Sequence, residues 1–155
     1  MSEEKTAEQK VTESNDRFLK IYEGLSAPFP KEALSEDKSR GFALTSIKAQ
    51  YIVERLNQVC GVAGWALTGD YNNTEDGVIF FGTLTINDGF KAHAQQGAGF
   101  SAKKKNSGDM YKGAQTDALS KIASKFGLGN DVFKGKVAPP KSSAPVKKKV
   151  STPDF

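Results

Sequence analysis

The sequence predicts an α+β fold, an antiparallel sheet packed against helices with a β-α-β-β-β-α core and flexible ends. Two observations carry this. Three alternating segments at 65–72, 78–86 and 90–96 are separated by turn residues, and amphipathic helical patterns stand before and after them.

Residues 1–15 are charged and nearly free of large apolar side chains, so they cannot offset the entropy of ordering and read as a mobile arm. Domain boundaries follow: a flexible acidic arm at 1–17, a core at 18–136 and a disordered basic tail at 137–155. Phe18, Leu19, Ile21, Tyr22 and Leu25 form a short helical pattern that stops before Pro28 and Pro30, with Phe29 as an anchor between the prolines. Residues 38–45 alternate, with Phe42 and Leu44 on one side, and read as a strand carrying Lys38 and Arg40. Thr45 or Ser46 is placed to cap a helix running to Cys60, because Ala49, Ile52, Val53, Leu56, Val59 and Cys60 share one face. Gly61 stops it.

Residues 72–77 connect the first two strands of the meander, and Asn87-Asp88-Gly89 marks a hairpin between the second and third. Phe80 and Phe81 must face opposite sides of the sheet. One belongs to the core; the other stacks on a base or is buried in a subunit contact, and burial is favoured. Trp65 reads as a helix-to-sheet packing residue. A glycine-bearing loop over 97–108 then leads to the last helix, in GDMYKGAQTDALSKIASKFGLG. Its apolar stripe of Leu119, Ile122, Ala123 and Phe126 lies opposite Asp117, Lys121, Ser124 and Lys125, and Gly127 and Gly129 end it.

Net charge is +4, but it divides as −4 over 1–37, +5 over 38–136 and +3 over 137–155. The basic part calls for a polyanion, and Lys103, Lys104 and Lys105, with Lys112, Lys121 and Lys125 on the helix, suit the phosphates of a nucleic-acid strand. Other classes lack their residues. His93 is the lone histidine and reads as structural, Cys60 as a buried thiol, so neither a disulfide framework nor a cysteine zinc site is expected. The run GAGFSAKK has no glycine before its lysine and no Ser or Thr after it, so it is not a phosphate loop. Glu75 and Asp76 sit in a turn, where turn chemistry explains them better than acid–base catalysis. No catalytic group, metal or cofactor is expected. The polar, acidic N-terminus and the absence of a long apolar run lead us to expect a cytosolic chain without a membrane partner.

Two motifs carry a family resemblance. The run RLNQVCGVAGW at 55–65, followed by the meander and by the Thr-Asp-Ala-Leu helix, resembles the DNA-binding core of the Rad-fifty-two-type single-strand annealing proteins over roughly 30–135. That superfamily includes phage recombination proteins, a mitochondrial genome-maintenance protein and bacterial damage-response proteins. The resemblance implies a homo-oligomeric ring or filament that binds single-stranded DNA in a basic groove and anneals complementary strands without nucleotide hydrolysis. Family members place two basic residues just after Thr-Asp-x-Leu; here those positions are Ser120 and Lys121, and Lys125 compensates one turn later. The basic strand residue of the family has Arg40 or Lys38 as its counterpart, and the loop lysine has Lys103, with Lys104 and Lys105 added. A single-strand-binding protein or recombinase is the implied protein partner. The tail offers either Lys147, Lys148 and Lys149 for a second strand or Pro153-Asp154-Phe155 for docking. The alternative is a double-stranded RNA-binding module, which shares the α-β-β-β-α order. Against it stand the extra strand, the N-terminal helix, and a lysine triplet set well before the helix.

Overall fold

The structure is a computed structural model and describes residues 4–38, 41 and 44–135. The tail and Arg40 therefore lie outside the described residues. The first helix, α1, spans Ala7–Leu25, where an arm was expected through residue 15. Local bonds start it early. Thr6 accepts from the Gln9 amide at 3.2 Å, the Gln9 side chain accepts from the Thr6 amide at 2.9 Å, and Lys5 pairs with Glu13 at 2.7 Å. A reading by hydrophobicity is blind to such a capping box.

The expected strand at 38–45 is instead a hairpin of two short strands, β1 at Leu34–Asp37 and β2 at Leu44–Ile47, with Leu34 opposite Ile47. Ser46 is not a helix cap, because its hydroxyl lies 2.9 Å from that of Ser35, and the Lys48 amide bonds the Ala33 carbonyl. Helix α2 accordingly begins later, at Ala49–Cys60. It buries Ile52 and Leu56, and burial pushes the half-buried Cys60 thiol up to about 11, so the group stays a thiol at neutral pH.

Strands β3 (Trp65–Asn73), β4 (Gly77–Asn87) and β5 (Ala92–Ala102) form the expected antiparallel meander in sequence order. Val78, Phe80, Leu84 and Ile86 of β4 are buried against α3, Ser107–Ser124. Leu119, Ile122, Ala123 and Phe126 fill the same core from the helix side. Each large side chain so buried contributes roughly 1.5–3 kcal/mol, which makes this layer the main source of stability. Phe81, on the other face, is 53% exposed in the single chain. Gly127 and Gly129, both at positive φ, turn the chain into α4, Asn130–Phe133.

Two polar devices fasten α1. Arg55 of α2 donates to the carbonyls of Gly24, Leu25, Ala27 and Pro28 at 2.6–3.4 Å, and its guanidinium lies 4.1 Å over the Phe29 ring. The carbonyls of Gly24 and Leu25 are ones the helix end leaves without partners, and those of Ala27 and Pro28 lie just beyond it. At the other end of the meander, the β4–β5 turn meets α1 through Asp88. Its carboxylate lies 3.0 Å from His93 and accepts the Phe90 and Lys91 amides at 2.8 Å, while Arg17 approaches to 4.0 Å. Phe18 stacks 4.1 Å from His93, and Arg17 caps the Phe90 ring. The lone histidine thus packs on α1 and bonds the turn.

Arg55→Ala should lower unfolding free energy by about 2–3 kcal/mol, since several carbonyls lose a charged donor at once; Arg55→Lys should recover less than half. Chemical denaturation checks both. The His93 bond, with the amides of Lys91 and Phe90, outweighs desolvation and holds Asp88 down to about 2. A depressed carboxyl contributes stability that is complete above about pH 4 and lost as pH falls toward 2. Thermal melts of the wild type should therefore fall more steeply across that window than those of Asp88→Asn.

Candidate nucleic-acid interface

Helix α3 can sit on β5 only because two residues there, Gly97 and Gly99, lack side chains. Gly69, Gly82 and Gly97 lie in one row across β3, β4 and β5. A Cβ on Gly97 would stand 2.7 Å from Ile122, and one on Gly99 would fall inside the backbone of Ala114 and Ala118. This is why the first half of the expected 97–108 loop is strand: Gly97 and Gly99 are a landing site for the helix and not a hinge.

Close approach brings α3 side chains to the outer rim of β5. Asp117 accepts the Phe100 amide at 2.9 Å and the Lys121 ammonium at 2.8 Å through one oxygen, and the Lys125 ammonium is bound to the Gln96 carbonyl. Both helix lysines therefore face outward along the rim, but each already holds an internal partner. Asp117 is the residue that charge reading passed over. Its signal was its position, four residues before Lys121.

The remaining lysines gather elsewhere. The Lys103 amide bonds the Asp76 carbonyl, which pins the start of the connecting loop to the β3–β4 turn. Lys103, Lys104, Lys105 and Lys112 are exposed, and no carboxylate among the described residues lies within ion-pair reach of their ammonium groups. The triplet stands closer to the helix than expected, since Asn106 is the N-cap of α3 and accepts from the Asp109 amide. Lys112 and Lys121 are nine residues apart, which at 100° per residue turns them to opposite sides of the helix and separates them by about 14 Å. The lysines thus form two groups, one at the N-terminal end of α3 and one on the β5 rim. Lys38 belongs to neither, standing on the β1–β2 hairpin 3.2 Å from Glu36.

Beside the first group lies an aromatic column that sequence reading missed. Tyr111 donates to Asn73 at 2.7 Å and meets Tyr71 edge-on at 4.9 Å, and Tyr71 in turn contacts buried Phe80 at 4.9 Å. Its signal was the inward parity of Tyr71 with Phe80 in the strand register.

Motif residues explain themselves within this frame. In RLNQVCGVAGW, Arg55 holds the end of α1, Leu56 is core, and Asn57 accepts Trp65 Nε1–H at 2.7 Å, the helix-to-sheet packing expected of that tryptophan. Gly64 leaves no room for a Cβ against Cys60. In Thr-Asp-Ala-Leu, Ala118 packs on Gly99 and Leu119 is buried.

The arrangement is an α+β module, a three-stranded meander backed by the helix that follows it and carrying basic groups around that helix. The chain matches the Rad52/22 family of double-strand break repair proteins over residues 17–145, and it belongs to that family. No curated protein sequence matches it. With the triplet adjoining the helix, lysine spacing no longer separates this chain from a double-stranded RNA module; the family match does.

Gly99→Ala should cost about 1–3 kcal/mol or more by forcing α3 off the sheet, and it should weaken protection of the Phe100 amide. Hydrogen exchange on the purified variant reads both.

Proposed function

We propose that the chain binds single-stranded DNA, assembles into a ring or filament of identical subunits, and anneals complementary strands without ATP in recombination and repair. The observation that carries this reading, given the family, is the crowding of Lys103, Lys104, Lys105 and Lys112 at the N-terminal end of α3 without acidic partners. Cations beside a helix N-terminus are disfavoured by its dipole, by about 0.3–1 kcal/mol each at the surface, so the triplet at 103–105 gains when a phosphate meets it. Phosphate contacts hold a strand while leaving its base edges open for pairing, which annealing requires. Lys121, Lys125, Lys38 and Arg40 contact the same strand further along in this reading. Phe81 and Phe100, 53% and 45% exposed on the open face of the sheet, are covered by a neighbouring subunit. Repeated subunits then join weak sites into a continuous track. A single-strand-binding protein or recombinase supplies or receives the strand.

Fluorescence anisotropy with a single-stranded oligonucleotide, an annealing assay without nucleotide and negative-stain imaging test the three parts. Replacing Lys103, Lys104 and Lys105 together by Ala should weaken binding and reduce the slope of log K against log salt by about 2. Lys121→Ala should also weaken binding in a folded protein. A wild-type chain that binds no single-stranded DNA, or that anneals only with ATP, would reject the reading.

A further inference from the structure

We propose that Asp117 is an internal stand-in for a DNA phosphate. In the DNA-free chain its carboxylate occupies Lys121; a backbone phosphate of the bound strand takes its place on Lys121 while Asp117 stays on the Phe100 amide. The inference rests on the reading of single-stranded DNA binding and assigns a positioning residue within it.

One carboxylate oxygen, Asp117 Oδ2, serves two donors of unlike character. The Phe100 N–H, at 2.9 Å, is a backbone donor fixed by the packing of α3 on Gly99. The Lys121 ammonium, at 2.8 Å, ends a flexible side chain that is 50% exposed. The first bond anchors; the second exchanges. A surface pair at i,i+4 is worth only about 0.3–0.5 kcal/mol, so a phosphate arriving from solution replaces the carboxylate at little cost. The same pair draws Lys121 back along the rim toward the Phe100 end of β5, and Lys125, held by the neutral Gln96 carbonyl one turn on, extends the row. Asp117 thus keeps the ammonium in reach of the strand, and its negative charge beside the incoming phosphate limits how tightly the strand is held.

Asp117→Asn keeps an acceptor for the Phe100 amide and removes the competing charge. At low salt the full chain carrying it should bind a mixed-sequence single-stranded oligonucleotide about two- to fivefold more tightly, matching the range measured for exposed pairs. In a Lys121→Ala background the same change should bring a clearly smaller gain, because only the relief of direct charge repulsion remains, whereas a merely structural role would not depend on Lys121. Unchanged or weaker binding, or an equal gain without Lys121, overturns the proposal. Protection of the Phe100 amide from exchange certifies the variant's fold; if it is lost, the wild-type chain decides the matter. There, carboxyl NMR must show Asp117 shifting on oligonucleotide addition while the Phe100 amide stays protected, and a still carboxyl resonance overturns the idea. Absence of binding by the wild type rejects the functional reading itself, whereas binding with no Asp117 effect rejects this inference alone.

Discussion

The contact between α3 and the bare backbone of β5 is the constraint on which the rest depends. Without Cβ atoms at Gly97 and Gly99, Ile122 and Ala118 reach the sheet directly. That proximity is what lets a side chain as short as Asp117 touch a strand amide, and what places Lys125 against the Gln96 carbonyl. Glycine in a strand interior ordinarily weakens it. Here the apolar layer formed by Leu84, Ile86, Leu119 and Ile122 more than offsets that loss, since several side chains are removed from water for two or three omitted ones.

The residues of the run at 55–65 are mainly architectural. Arg55 closes one helix, Asn57 orients Trp65, and Gly64 allows the chain to reverse beside Cys60. Their spacing is tight because each contact is set by backbone geometry, where a displacement of one residue removes the partner. Charged groups such as Lys104 and Lys112 reach outward from this frame and are under no comparable steric demand. Fold and chemistry are thus carried by different parts of the chain, joined at Asp117.

Much of this was legible from residues alone. The meander, the stripe of α3 and the glycines beyond its end follow from periodicity and turn chemistry, although the third strand, expected at 90–96, runs over Ala92–Ala102 and α3 already ends at Ser124. Three readings missed for identifiable reasons. The start of α1 is set by a capping box that hydropathy does not register. The β1–β2 hairpin draws Ser46 into a pair with Ser35, which no local preference announces. Glycines at 97 and 99 signal flexibility unless the helix that lands on them is known. For the site, the lysines could be found from charge, but their division into two groups could not, because it depends on which way α3 is rotated on the sheet.

An antiparallel sheet presents two rims of backbone donors and acceptors, each a template for a further strand. The outer rim of β5 has two of its groups already taken, the Phe100 amide by Asp117 and the Gln96 carbonyl by Lys125. The outer rim of β3 receives no such side chain from α3 among the described residues. A foreign strand therefore meets an interrupted ladder on one side and an open one on the other. The sheet has a polarity across its width, and of its two edges that of β3 offers the less interrupted row of backbone groups among the described residues.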